Sequence, residues 1–233
     1  MVVAAAANLS EAFSELAKQF ELKTGTRVVL SFGATAELAG QIENGAPFDV
    51  FAAADTEHVM RLDRKGLLAP GSLSLYARGR LALWVPSGGR AGITRLEDLA
   101  RAEVERVAIA KPDLAPYGRA AVEALRALGL WSSVERKVIY GQSVTQARQY
   151  AATGNADAAL IPLSLTRAGD GRIIEVDARL HGPIEQSIAV IKSSGKPEAA
   201  ELFVKYVLGP EGQSLLERYG YQRAVGQDSQ TRP

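Results

Sequence analysis

Four times along this chain a short apolar run breaks at a small polar residue and passes at once into a helical pattern. A buried strand followed directly by a helix belongs to α/β architectures, in which helices cover a largely parallel sheet, so this junction restricts the fold more than any other feature. In the first instance, residues 2–6 are small and apolar, and Asn8 and Ser10 stand where helix caps belong. Phe13, Leu16, Ala17 and Phe20 would share the buried face of the helix that follows. The second runs through residues 27–32 into Gly33-Ala-Thr-Ala36, with Thr35 in the cap position of a helix carrying Leu38 and Ile42. In the third, the strand 107–110 leads to a loop whose Pro116 and Gly118 set a turn before a helix over 119–128. The fourth joins a strand at 138–140 to a helix over 146–152 capped from Ser143 or Thr145.

One such junction is simply the first unit of any α/β protein, but four of them carry a chemical implication. A helix that starts at the carboxyl end of a strand aims its unpaired backbone N–H groups at the crevice above the sheet, with roughly half a positive charge. Four starts facing one cleft would supply roughly two positive charges, enough for a dianion without a Lys or Arg in contact. Neutral residues sit at these starts: Ala7, Asn8 and Ser10, then Thr35, then Tyr117 and Gly118, then Ser143 and Val144. They point to a small tetrahedral oxyanion held by backbone N–H and neutral side-chain donors, two starts coming from each lobe.

The 233 residues, 47% of them apolar, can build one large α/β domain or two small ones. A net charge of +1 with both signs interspersed provides no basic stripe, so nucleic acid is not an expected partner. The absence of cysteine removes disulfides and thiolate metal sites. No apolar window approaches the roughly 20 residues needed to span a bilayer. Met1 lies directly against the first strand with no charged and apolar leader before it, and a targeting segment is expected to have been removed.

A third strand over 49–54 precedes a helix at 57–62. Asp49, Asp55 and His58 could be grouped as metal ligands, although Asp49 flanks a strand entry and Asp55 stands at a helix N-cap. Extended segments at 73–77 and 80–86 meet at an Arg-Gly-Arg turn, after which the strand-helix rhythm restarts, and 184–192 is the return crossing. The expected lobes are 1–80 with 189–225, and 81–188, with 226–233 a frayed tail lacking an apolar anchor. Further elements are a short helix at 93–100 capped by Thr94, strands at 156–162 and 172–176, and two closing helices at 196–208 and 211–219.

Enzyme signatures are absent: no G-x-S-x-G, H-E-x-x-H, Walker A or G-x-G-x-x-G pattern follows a strand, and the two histidines, His58 and His181, are far apart. The stretches Ala-Ala-Ala-Asn-Leu at 5–9, Ser31-Phe-Gly-Ala-Thr-Ala-Glu-Leu-Ala39, Gln41-Ile-Glu-Asn-Gly-Ala-Pro-Phe-Asp-Val-Phe51, Ala53-Ala-Asp55 and Arg218-Tyr-Gly-Tyr221 together resemble the periplasmic molybdate-binding proteins of ABC importers, over about residues 2–225. The resemblance implies a two-lobed type II periplasmic-binding-protein fold whose two βα domains, joined by two crossing strands, close on molybdate or tungstate. It implies no enzyme activity and no cofactor. The partners it implies are the oxyanion and a membrane permease, for a monomer working in the periplasm. Position by position, Asn8 falls on the first-lobe ligand after the Ala run, with Ala7 beside it, and Thr35 on a Ser of the Ser-Phe loop. Tyr117 falls where some members have Ala and others Tyr, and Val144, preceded by Ser143, falls on a backbone donor at a helix start. These residues would touch the oxyanion's oxygens and not the metal itself. Pro162 departs from the pattern, since several members have Tyr at that strand end and proline has no N–H to donate.

Two other readings stay open on the residues alone. The effector-sensing half of a cytosolic transcription regulator shares the two-lobed fold but should carry an upstream DNA-binding helix-turn-helix, and a carboxylate-dependent hydrolase would need a selected pair of acids that no pattern here picks out.

Overall fold

The computed structural model describes residues 1–89, 92–167 and 169–224. In chain order the elements are β1 (Val2–Ala6), α1 (Ser10–Thr24), β2 (Val29–Gly33), α2 (Thr35–Glu43), β3 (Val50–Ala52), α3 (Glu57–Arg64), β4 (Ser74–Gly79) and β5 (Leu81–Pro86). They continue with β6 (Val107–Ala110), α4 (Pro116–Ala127), α5 (Trp131–Val134), β7 (Val138–Gly141), α6 (Val144–Ala152), β8 (Ala158–Pro162) and β9 (Gly171–Glu175). The chain closes with β10 (Ile184–Val190), α7 (Pro197–Leu208) and α8 (Pro210–Arg218).

The described residues divide into one compact unit of Met1–Gly79 with Glu185 to Ala224, and a second unit of Arg80–Ile184. The return crossing therefore falls at 184/185, four residues earlier than 188/189. The start of β10 already bonds the first sheet, with Glu185 on Arg78 and Gln186 on Tyr76 of β4, before Ile188, Ala189 and Val190 lie antiparallel against Ala52, Phe51 and Val50 of β3. The expected tail at 226–233 lies outside the described residues.

Each unit holds one five-stranded sheet, in the orders β2-β1-β3-β10-β4 and β7-β6-β8-β5-β9. In the first, β1 is parallel to both β2 and β3. In the second, β6 is parallel to both β7 and β8, and β5 runs antiparallel beside β8. The two sheets thus share a kernel in which the chain steps one way from the central strand and then back past it. With right-handed crossovers, such a reversal puts successive helices on opposite faces and leaves a crevice at the carboxyl ends of the central strands.

Packing of the first unit follows from that reversal. Leu38 and Ile42 of α2 and Val59 and Leu62 of α3 pack with Ala4, Phe51 and Ala189 of the sheet. Phe13 and Phe20 of α1 meet Phe203 of α7 edge to face, with centroids 6.0 and 5.2 Å apart, and Phe13 also meets Tyr76 of β4 at 6.0 Å. Small residues in β1 let helices approach the sheet closely, with Val3, Ala4 and Ala5 fully buried.

Thr94 is not the cap expected of it. A 3₁₀ turn covers Leu96–Ala100, and the N–H and hydroxyl of Thr94, with the N–H of Arg95, all donate to the Asp98 carboxylate, holding its pKa below the usual range. The short helix α5 carries no periodic signal, and pattern reading does not find it.

In the second unit, a Cβ at Gly118 would lie 2.1 Å from the carbonyl oxygen of Ala110, so only glycine lets the first turn of α4 sit on the end of β6. Gly118→Ala should therefore lower the denaturation midpoint by the equivalent of about 1–3 kcal/mol. Gly40, inside α2, makes the opposite case, because a methyl group added there would meet nothing within 4 Å. Gly40→Ala should raise stability by about 0.5–1 kcal/mol, read from the denaturation midpoint in urea.

Candidate functional site

In the first unit the candidate residues emerge side by side because of strand register. Ala6 pairs with Gly33 and Ala5 with Ala52, so the chain leaves β1, β2 and β3 at one edge of the sheet. Ala7, Asn8 and Leu9 form a single 3₁₀ turn between β1 and α1, all three buried. That turn changes the role of Asn8. It caps nothing, since Leu9 holds the N-cap position and α1 has no side-chain cap. The Asn8 amide turns inward, and its Nδ2 donates to Gln186 Oε1 at 2.9 Å and to the Tyr221 hydroxyl at 3.0 Å. Both hydrogens of that amide are therefore engaged within the first unit.

Thr35 likewise is the first residue of α2 and not its cap, which is Ala34. Its buried Oγ1 accepts from the N–H of Ala54, just past β3, at 3.1 Å. The hydroxyl keeps its own hydrogen to donate, while its lone pair ties the start of α2 to the exit of β3.

The second unit repeats the arrangement with different chemistry. Helix α4 begins at Pro116, which suits the first helical position because that N–H has no partner anyway, so the buried Tyr117 lies in the first turn and not before it. Helix α6 begins at Val144, two residues ahead of the expected start, with Ser143 as N-cap. Ser143 Oγ accepts from Gln146 N at 3.3 Å while Gln146 Oε1 takes the N–H of Gln142 at 2.6 Å, a reciprocal pair that leaves the Val144 N–H at the open end of the helix. Gly141 permits this, for a Cβ there would stand 2.7 Å from Ala147 N. Pro162 ends β8 opposite Leu81, so that strand end has no N–H donor.

Tyr117 follows β6, the middle of the three parallel strands β7, β6 and β8, as Asn8 follows β1 between β2 and β3, and Val144 follows the edge strand β7 as Thr35 follows β2. None of the six candidates Ala7, Asn8, Thr35, Tyr117, Ser143 and Val144 carries a charge. Asp49, Asp55 and His58 do not assemble as metal ligands, and among the described residues no group of three His, Cys, Asp or Glu could hold a metal. Asp49 accepts from Val2 N at 2.7 Å and from Ser194 Oγ at 2.5 Å. Asp55 gives one oxygen to the His58 N–H at 3.0 Å and the other to His58 Nδ1 at 2.7 Å.

Gln186, Tyr76 and Tyr221 escape sequence reasoning as site-related residues. The legible signals are Tyr221, which closes the stretch 218–221 that carries part of the resemblance, and Gln186, fully buried beside an equally buried Ser187 in β10.

The profile of the bacterial extracellular solute-binding proteins matches residues 1–222, and the chain belongs to that family, a class that binds solutes and does not transform them. Within it the chain is similar to the molybdate-binding protein ModA of Azotobacter vinelandii, 39% identical over 229 residues, covering 94% of this chain and 88% of the relative. The solved periplasmic molybdate-binding protein of A. vinelandii superimposes with a TM-score of 0.90 at 32% identity, over 96% of this chain and 99% of that one. The substrate-binding domain of a putative molybdenum ABC transporter from Clostridium difficile gives 0.72 at 28% identity, over 96% and 98%.

Because Thr35 Oγ1 is the acceptor for a buried N–H, Thr35→Val should destabilise the unliganded protein by about 1–3 kcal/mol, whereas Thr35→Ser, which keeps the oxygen, should stay near wild type. Equal denaturation midpoints for Thr35→Val and wild type would remove the bond's structural role.

Proposed function

We propose that this protein binds molybdate or tungstate outside the cytoplasmic membrane and delivers it to the membrane permease of an ABC importer, working as a monomer. The observation that carries the reading is the repeated, charge-free set of helix starts at the ends of equivalent strands, in a chain 39% identical to a molybdate-binding protein. In the bound state the turn Ala7–Leu9 and the start of α2 supply donors from the first unit, and Tyr117 and Val144, backed by Ser143, supply them from the second. One anion shared by both units favours the form in which both reach it.

The chemistry of the donors sets the selectivity. Phosphate near neutral pH keeps a proton that needs an acceptor, and none of the candidates Ala7, Asn8, Thr35, Tyr117, Ser143 and Val144 is a carboxylate. A protonated oxyanion would leave a donor facing a donor, at a cost of about 1–3 kcal/mol. Molybdate, tungstate and sulfate are bare dianions, and sulfate's shorter bonds fall short of donors spaced for a larger ion.

Calorimetric titration tests this directly. Molybdate and tungstate should bind with micromolar or tighter Kd, about −8 kcal/mol or better. Sulfate and phosphate should be weaker by at least about a hundredfold, some 2.7 kcal/mol. Phosphate displacing molybdate at equal concentration would sink the neutral-donor reading. Small-angle scattering should show compaction on adding molybdate, and superimposable curves would argue against an anion shared by the two units. Thr35→Ala should weaken molybdate binding by about 1.5–3 kcal/mol, the value of a hydrogen bond to a charged partner.

A further inference from the structure

We infer that Gln186, Tyr76 and Tyr221 are positioning residues that set the anion-binding turn through Asn8. The inference rests on the reading of Ala7–Leu9 as part of an oxyanion site. These residues come from three separate places: Tyr76 from β4, Gln186 from β10 and Tyr221 from the segment after α8. Gln186 and Tyr221 converge on the side chain of Asn8, 178 and 213 residues away in sequence, and Tyr76 reaches it through Gln186.

The bonds grip both ends of Asn8. Its Nδ2 hydrogens go to Gln186 Oε1 and to the Tyr221 hydroxyl, and that same hydroxyl donates to the Asn8 main-chain oxygen at 2.8 Å. A residue held by side chain and carbonyl together has its peptide planes fixed, and those planes aim the N–H groups of the turn. Tyr76 extends the grip to the next strand: its hydroxyl lies 2.8 Å from Gln186 Oε1 and 3.0 Å from the carbonyl of Ala53. Ala53 adjoins Ala54, whose N–H rests on Thr35 Oγ1. A single run of hydrogen bonds therefore frames the exits of β1, β2 and β3.

The frame is itself anchored. Gln222 and Arg78 exchange backbone bonds at 2.8 and 2.9 Å, which clamps the segment bearing Tyr221 onto β4, and Gln213 Nε2 donates to the Tyr76 carbonyl at 3.0 Å. Asn8, Tyr76, Gln186 and Tyr221 are all at most 4% exposed. Four polar side chains in that setting are retained at the expense of simpler apolar packing, and what they specify is the orientation of one turn.

Tyr221→Phe and Tyr76→Phe keep the rings and remove the hydroxyls, so they separate positioning from packing. Molybdate affinity, its dissociation rate and the unliganded melting temperature would be measured on each. Tyr221→Phe should weaken molybdate binding on the order of tenfold, mostly through faster dissociation. In an Asn8→Ala background the same change should add less than about twofold, because the residue it acts through is gone. Variants that melt lower yet bind molybdate with wild-type affinity would overturn the positioning role, as would penalties that simply multiply in the Asn8→Ala background. Wild-type protein that binds neither molybdate nor tungstate would instead overturn the oxyanion reading on which the role depends.

Discussion

The backbone N–H groups of a helix's first turn have no carbonyl within the helix to receive them, and much of this structure serves to bring such groups to the ends of parallel strands. That demand explains the glycines. Gly118 and Gly141 bring the starts of α4 and α6 closer to β6 and to the preceding loop than any side chain allows, since a Cβ would come within 2.1 Å of Ala110 O in one case and 2.7 Å of Ala147 N in the other. In the first unit the same end is reached with small residues in β1 and a 3₁₀ turn, which sets the N–H groups of residues 7–9 at the sheet edge before α1 begins. Two sheets of the same strand order then repeat the device with different side chains.

The strands and helices are legible because their signals are local. The apolar run Val2–Ala6, the Leu38 and Ile42 spacing of α2, and the Pro197 and Gly209 that bracket α7 each announce an element within a few residues. Cap assignments are less legible for a physical reason. A Ser, Thr or Asn near a helix start can bond the nearest N–H or anything else within reach, and only the tertiary fold decides which. Ser143 bonds Gln146 N in its own helix, whereas Thr35 reaches Ala54 in the next strand exit and Asn8 reaches β10 and the segment after α8. The return crossing lies four residues from its expected place because the pattern in β10 shows that a strand exists, but not that Glu185 and Gln186 at its start already bond Arg78 and Tyr76 of β4.

The two residues that stand out first as candidate ligands are members of the framework. Thr35 satisfies a buried N–H, and Asn8 joins distant segments of the chain, so neither is an interchangeable surface donor. A Thr hydroxyl can accept from the scaffold and still donate to a ligand, which lets one side chain do both. Asn8 divides the work differently: both hydrogens of its amide are spent on the scaffold, and its carbonyl is held by the Tyr221 hydroxyl.

On that reading the avoidance of charge follows from the need for geometry. A lysine or arginine would attract any dianion from a distance and could swing to suit ions of several sizes, because its charge sits at the end of a long flexible stem. Peptide N–H groups fixed by helix starts cannot follow a smaller ion inward, so the distance between donors itself becomes the measure of the anion. Such rigidity has to come from outside the turn. In the first unit it comes from buried hydroxyl and amide groups on β4, β10 and the segment after α8. In the second it comes from proline at the start of α4 and a serine cap on α6. The difference in means is why the two halves share a strand order without sharing a sequence pattern: the constraint is on where the N–H groups point, and several kinds of side chain can enforce it.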